Sequence, residues 1–360
     1  MKRKKVWRTP VNTQSEIKAA GRVIRHGDET SDAWRNALVV VDDWRAAHAF
    51  PMQVIYANLR NMMKGRRGFV AQRLKRLASI VPKLQSNTVL NLWKMQDLGG
   101  CRVVTDTLKA VYQAESRFRV SRIRHVLVKV NDYIVQPKKS GYRSLHAVYQ
   151  YHSDRNPIYN NNMLIEIQFR TRMQHMWATA VETMGLYKGL RLKSGEGTKE
   201  INRFFVLASS LIALKEKTPL VPGTPCTKDL IVQELFALDH ENQFLDKLSA
   251  LSVAVHVKQE NENARKARDG YYLLLLNFED RKLIVRPYST GEYDKANTAY
   301  LRLENQYKSS GKERDVVLVG VKSINELSKA YPNYFSDVKE FVNFLKWEIA
   351  WYKSSHYIKD

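Results

Sequence analysis

Cysteine is nearly absent: Cys101 and Cys226 are the only two in 360 residues, far apart and without a CxxC or histidine-rich companion. That argues against a disulfide framework and against structural zinc, and a reducing cytoplasm is the expectation. Long apolar runs are missing too. Tyr271 to Leu276 is among the longest, far below the roughly 18–20 residues that span a bilayer, so no membrane segment is expected. The basic start, Met1 to Arg8, leads into polar residues instead of an apolar stretch, so export is not expected. No strong internal repeat is visible. The scarcity with most chemical content is that of acid: residues 51–150 hold four Asp and Glu against 19 Lys and Arg.

The charge is also lopsided. Residues 1–200 carry 36 Lys and Arg against 15 Asp and Glu, a surplus of 21, whereas residues 201–360 carry 23 against 21. A field of that sign raises the local concentration of nucleotides or nucleic acid and says nothing about fold. The first half is therefore the half that meets anions.

At this length two domains are expected, 1–195 and 196–360, with the Gly and Ser rich stretch 192–199 as the boundary. Helical spacing predicts helices over 14–26, 31–48 and 52–63, with Pro51 as a break, then an extended basic segment over 69–75. After it come a helix over 89–95, a strand over 101–104, a helix over 108–117, strands over 123–130, 145–151 and 163–169, and a helix over 172–187. This interleaving favours a mixed β-sheet flanked by helices, an α+β first domain. The second domain reads as smaller and also α+β. It has helices over 201–217 and 228–250, a hairpin over 271–287, a helix over 294–307, a strand over 315–321, and helices over 324–330 and 336–352.

A carboxylate among so many cations is either a salt-bridge partner or a magnesium ligand, since magnesium on phosphates is held by one or two carboxylates plus substrate oxygens and water. Asp97, before a Leu-Gly-Gly turn, and Glu166, in an apolar alternating run, are the candidates; Asp132 is a third. Around them stand cations suited to polyphosphate and one aromatic, Tyr142, able to stack on a base. Each residue also has a structural alternative: Tyr142 as a sheet-edge cap, Arg102 as a neutralising partner of Asp97, His146 and His175 as core histidines, Arg170 and Thr171 as the end of a strand and the cap of the next helix.

Four segments occur in order: Val70 to Leu84 with Arg73, Lys75 and Lys83; Asp97-Leu98-Gly99-Gly100-Cys101-Arg102; Gly141-Tyr142-Arg143-Ser144-Leu145-His146; and Glu166-Ile167-Gln168-Phe169-Arg170-Thr171. This succession resembles the (p)ppGpp synthetase domain of RelA/SpoT-type and small alarmone synthetase enzymes over residues 40–190. The helix carrying His175, Trp177, Ala178 and Glu182 continues the likeness. Ser140, Pro82 and Cys101 depart from it. The resemblance implies a nucleotidyltransferase-like synthetase fold and an ATP-dependent pyrophosphokinase, with Mg²⁺ as cofactor and ATP as donor. It gives Asp97 and Glu166 the metal and the catalysis, and Arg73, Lys75, Lys83 and Arg102 the ATP. To Tyr142, Lys138, Lys139, Arg143, His146, Gln168 and Arg170 it gives the acceptor. The His-Asp hydrolase motif of long bifunctional relatives is missing, so degradation of the product is not expected.

The acceptor stays open between the 3′ end of tRNA, modestly favoured by the charge surplus, and GDP or GTP, which would yield the alarmone (p)ppGpp. Residues 42–51 and the added C-terminal module also resemble CapRel-type fused toxin–antitoxins. That likeness implies a growth-inhibiting toxin in phage defence whose second half restrains the synthetase and senses a phage protein. A non-catalytic RNA-binding protein on the same scaffold is the alternative from another class, opposed by the presence of both Asp97 and Glu166.

Overall fold

Local signals start five of the twelve described α-helices. In this computed structural model, Thr13, Ser31, Thr107, Thr198 and Thr227 each accept a backbone N–H with the side chain at a helix start, relieving donors that a first turn leaves unpaired. The structure describes residues 7–87, 89–188, 197–253, 256–259, 270–277, 282–309, 314–321, 324–331 and 338–356.

The chain opens with α1 (Gln14–His26), α2 (Asp32–Ala47) and α3 (Ala49–Met63). Pro51 does not break a helix as expected. It sits in the first turn of α3, where its missing N–H would have no partner anyway. There follow β1 (Phe69–Leu74), α4 (Leu77–Ser86), β2 (Gly99–Thr105), α5 (Leu108–Arg119), β3 (Val126–Asp132), β4 (Leu145–Gln150), β5 (Leu164–Thr171) and α6 (Arg172–Lys188). The second half adds α7 (Lys199–Glu216), α8 (Lys228–Asn242), α9 (Phe244–Val253), β6 (His256–Gln259), β7 (Gly270–Asn277), β8 (Lys282–Ser289), α10 (Tyr293–Ser309), β9 (Arg314–Val321), α11 (Ile324–Ala330) and α12 (Lys339–Ser355).

Two further expectations differ from what forms. The helix over 89–95 shrinks to a single 3-10 turn, Leu92–Lys94, because Asn87 and Asn91 accept the N–H groups of Val89, Leu90 and Trp93 and hold the chain in turns. The helix over 228–250 is two helices, parted at Gln243, which takes φ +55°, while Asp239 accepts the Leu245 N–H. Conversely, α4 forms with Pro82 inside it, since Leu77, Ile80, Val81 and Leu84 bury against α1 and α2 and outweigh the lost hydrogen bond.

The architecture is mixed α+β. Nine described strands make one sheet in the order β3-β4-β5-β2-β1-β9-β7-β8-β6, with β2–β5 and β6–β8 parallel and the other neighbours antiparallel. The strands of the second half thus extend the sheet of the first through β1 and β9. One face is covered by α3, α5 and α10 around Ile55, Phe118, Ile167 and Tyr300. A second core joins Tyr142 and Trp177 to α7, α8 and α12 through Phe205, Ile231 and Phe341. Most of the stretch expected as the domain boundary, residues 192–196, lies outside the described residues, and the residues after it share both sheet and core with those before. No described helix is long and apolar enough to cross a membrane.

Candidate active site

The site grows from sheet register. Parallel pairing sets Gly100 beside Glu166 and Arg102 beside Gln168; antiparallel pairing sets Arg73 beside Gly100 and His146 beside Gln168. Alternation along a strand then puts Arg73, Arg102, Glu166, Gln168 and His146 on one face, where Arg73, Lys75, Asp97, Arg102, Glu166 and Gln168 line a single pocket. Gly100 has no side chain between Arg73 and Glu166, which keeps this floor open.

Asp97 anchors the side of the pocket expected to take the donor. Its Oδ2 takes Lys75 Nζ at 2.9 Å and Lys83 Nζ at 2.7 Å. Burial opposes its charge, but those two ammonium groups hold it well below the usual carboxylate range. Its Oδ1 is buried and meets no hydrogen-bond partner among the described residues. Lys75 is lowered by burial, with Asp97 opposing that shift. Arg102 is pushed down to about 10 by burial and by the nearby Arg170.

On the side expected to take the acceptor, Glu166 Oε1 lies 2.9 Å from His146 Nδ1 and its Oε2 accepts Gln168 Nε2 at 2.8 Å. Burial would raise Glu166, yet His146 keeps it lowered; burial would lower His146, yet Tyr142 and Glu166 raise it to about 9. Tyr142 is nearly buried, its hydroxyl 2.9 Å from His146 Nε2, with Lys138 Nζ 5.4 Å and the Arg170 guanidinium 5.7 Å from its ring centre. Lys138 also lies 4.5 Å from the Tyr133 ring, and Lys139 is exposed on the same turn.

Arg143 is brought to a different place from the one foreseen. It is buried and donates to Ser209 Oγ, Ile134 O, Thr218 Oγ1 and Pro219 O, so it ties the acceptor loop to α7 and its exit instead of facing the pocket. His175 packs edge-on to Phe69, away from the residues lining the pocket. Asp132 caps the turn after β3 and accepts the Tyr112 hydroxyl.

Sequence reasoning missed Tyr331. Its ring lies 5.8 Å from the Arg102 guanidinium, its hydroxyl donates to Gln72 O at 2.9 Å, and Ala330 O accepts Arg102 at 3.1 Å. A residue 229 positions beyond Arg102 has no local signal that would pair the two.

The donor set fits a magnesium nucleotide: the orphaned Asp97 Oδ1 offers a hard oxygen in the pocket that Glu166 also lines, and phosphate oxygens and water would complete the shell. Residues 72–191 match the family described as a region found in RelA / SpoT proteins. The chain is 33% identical over 117 residues to the GTP pyrophosphokinase YjbM of Bacillus subtilis, which is 31% of this chain and 53% of that protein. The match therefore spans about half the length of that curated relative. Among solved structures, small alarmone synthetase 1 from Bacillus subtilis bound to its product pppGpp shares 22% identity at a TM-score of 0.41, over 52% of this chain and 94% of that one. A GTP pyrophosphokinase family protein from Streptococcus pneumoniae shares 24% at 0.39, over 52% and 91%.

Proposed function

We propose, on the premise that residues 72–191 carry a RelA/SpoT region, that this chain is a pyrophosphokinase that moves the terminal pyrophosphate of ATP to a ribose 3′-hydroxyl. The observation that supports this best is the shared pocket: two carboxylates, Asp97 and Glu166, open onto one floor among Arg73, Lys75 and Arg102. In the reaction the 3′ oxygen bonds to the β-phosphorus, the bond from that phosphorus to the α–β bridging oxygen breaks, and AMP leaves with that oxygen. The hydroxyl proton passes to Glu166, whose carboxylate His146 keeps ionised. Arg73, Lys75 and Arg102 hold donor oxygens, and Lys83 fixes Asp97. Magnesium, held by Asp97 with Glu166 beside it, would supply charge neutralisation on the phosphates. Positioning and charge are most of what such a transfer requires.

A guanine nucleotide, GDP or GTP, is the acceptor that the activity of the Bacillus subtilis relative supports. The 3′ end of tRNA is a second reading, supported by a basic band beside the acceptor side: residues 116–140 hold seven Lys and Arg and one acid. ATP labelled on the γ-phosphate, incubated with the protein, Mg²⁺ and GDP, GTP or bulk tRNA, separates them by where the label goes. Label on nothing removes the enzyme reading and favours an RNA-binding scaffold.

The second half is read as a restraint on the donor side. Tyr331 over Arg102, with Ala330 O on the same guanidinium, covers a cation assigned to ATP. Relief would come from a partner that draws Tyr331 away, the role that the CapRel resemblance gives to a phage protein in a growth-inhibiting toxin. Its test is the Tyr331→Ala variant described below.

A further inference from the structure

Five side chains on the acceptor side close into a ring of hydrogen bonds. Glu166 Oε1 meets His146 Nδ1, and His146 Nε2 meets the Tyr142 hydroxyl, both at 2.9 Å. Arg170 donates to that hydroxyl at 3.2 Å and also to Gln168 Oε1, and Gln168 Nε2 returns to Glu166 Oε2 at 2.8 Å. Each carboxylate oxygen is therefore held from its own side, so the carboxyl plane of Glu166 cannot turn without breaking the circuit.

Backbone geometry builds this ring. Positions 166, 168 and 170 alternate onto one face of β5, and His146 on β4 stands opposite Gln168. Tyr142 arrives from a turn in which Gly141 takes φ +89°, a conformation that other residues rarely adopt. There an added Cβ would stand 3.0 Å from Ser209 Cβ and from the Trp177 ring. Ser209 donates to Gly141 O at 2.6 Å, so the turn is braced from α7.

An ionised carboxylate can only accept, so the His146 Nδ1 carries the proton that it shares with Glu166. Nε2 is then left for Tyr142. The phenol ring is the group that the family resemblance gives to the acceptor's base, whereas its hydroxyl is bound inward, one histidine away from the base of the reaction.

We infer that Tyr142 is a positioning residue for Glu166: its hydroxyl fixes His146, and His146 fixes the carboxylate oxygen that takes the acceptor's proton. The inference rests on the pyrophosphokinase reading. Its consequence is that any shift of the Tyr142 ring, which packs in a core with Trp177 and Phe205, is transmitted along the circuit to Glu166.

The Tyr142→Phe variant keeps the ring and deletes one hydroxyl. Loss of an interaction realised in the transition state lowers kcat, so kcat is expected to fall about tenfold with the acceptor KM changed less than about twofold. A wild-type kcat, or a loss confined to KM, overturns the inference, as does a loss explained by a lowered melting temperature alone. The His146→Asn variant keeps a donor near Nδ1 and has nothing at Nε2. Groups in one network are non-additive, so adding Tyr142→Phe to it should cost no further activity, and a full additional tenfold loss counts against the circuit. A second readout needs no turnover: in ¹⁵N-edited spectra of the histidine rings, Tyr142→Phe should displace the His146 Nε2 signal. If wild-type protein transfers pyrophosphate to no acceptor, the reaction reading fails while this spectrum still decides the circuit, and an unmoved His146 signal sinks it.

Discussion

The donor and acceptor sides of the pocket compensate their charges in opposite ways. On the donor side Asp97 faces Lys75 and Lys83, with Arg73 and Arg102 on the same floor and Glu182 near Arg102, so cations outnumber carboxylates there. On the acceptor side Glu166, His146, Tyr142, Gln168 and Arg170 satisfy one another in a closed ring. A surplus of half-buried cations calls for a polyanion, whereas a closed circuit calls only for an aligned hydroxyl. The side built to be completed is also the side that the second half of the chain touches with Tyr331. The side built complete is braced from behind by α7, through Ser209 and Arg143.

The largest test of that asymmetry is Asp97→Asn. It removes the carboxylate that both Lys75 and Lys83 meet and leaves those two ammonium groups facing each other, so turnover should fall by about 10³-fold, in line with losing one electrostatic contact at a reacting centre. Glu166→Gln should lose a similar factor while keeping its shape in the ring, so its melting temperature stays near wild type. Initial rates with labelled ATP and a melting curve check both. A Glu166→Gln enzyme with more than a tenth of wild-type rate would mean that the closed ring is structural and not catalytic.

Much of this was legible in the sequence because it is local. Strand alternation through Ile165-Glu166-Ile167-Gln168-Phe169-Arg170 predicts the shared face of 166, 168 and 170, and the turn before Tyr142 is marked by Gly141. The Asp97 turn and the strand after it were likewise legible. Arg143 was misread because a basic residue between Tyr142 and His146 looks like part of the site, while from the irregular segment before β4 it reaches Ser209 of α7 and Pro219 beyond it. Tyr331 was invisible because a contact across more than 200 residues leaves no spacing to read. The continuity of the sheet through β1 and β9 escaped for the same reason, since a strand does not announce its neighbour.

Arg143→Ala probes the brace. Its guanidinium donates to four groups in a buried place, and removing it leaves carbonyls of Ile134 and Pro219 without that partner. Unmade hydrogen bonds of charged groups predict a stability loss of about 3 kcal/mol, read as a shift of the urea midpoint. A loss below about 1 kcal/mol would show that α7 does not brace the acceptor loop, because that is the scale of one ordinary hydrogen bond. Cutting the chain at residue 195 strips the same support together with the Phe205 and Phe341 core, so such a fragment should lose folding along with any restraint.

Tyr331→Ala tests the donor side from outside. If the ring restrains ATP by occupying Arg102, its removal should lower the KM for ATP by about tenfold, the effect of some 1.4 kcal/mol of competing contact. The acceptor KM should not follow, because Tyr331 touches Gln72 and Arg102 and no member of the acceptor ring. Equal changes in both would erase the distinction between a covered side and a braced one.

The smallest effect is expected at the sheet edge, and it sharpens what the acceptor side receives. Lys129 shares a cross-sheet row with Glu166 through Val148, and Arg117 and Arg122 are exposed on the approach to the same strand. Each phosphate contact to a single strand adds about 0.7 to the slope of log affinity against log salt. With tRNA, Lys129→Ala and Arg122→Ala should each flatten that slope by about that amount and weaken binding about two- to threefold near physiological salt. With GDP or GTP, whose few phosphates are met within the pocket, neither change should alter the slope. A slope that moves for the nucleotide as much as for RNA would mean that the basic band is part of the pocket itself, and that the acceptor side, like the donor side, is completed by charge.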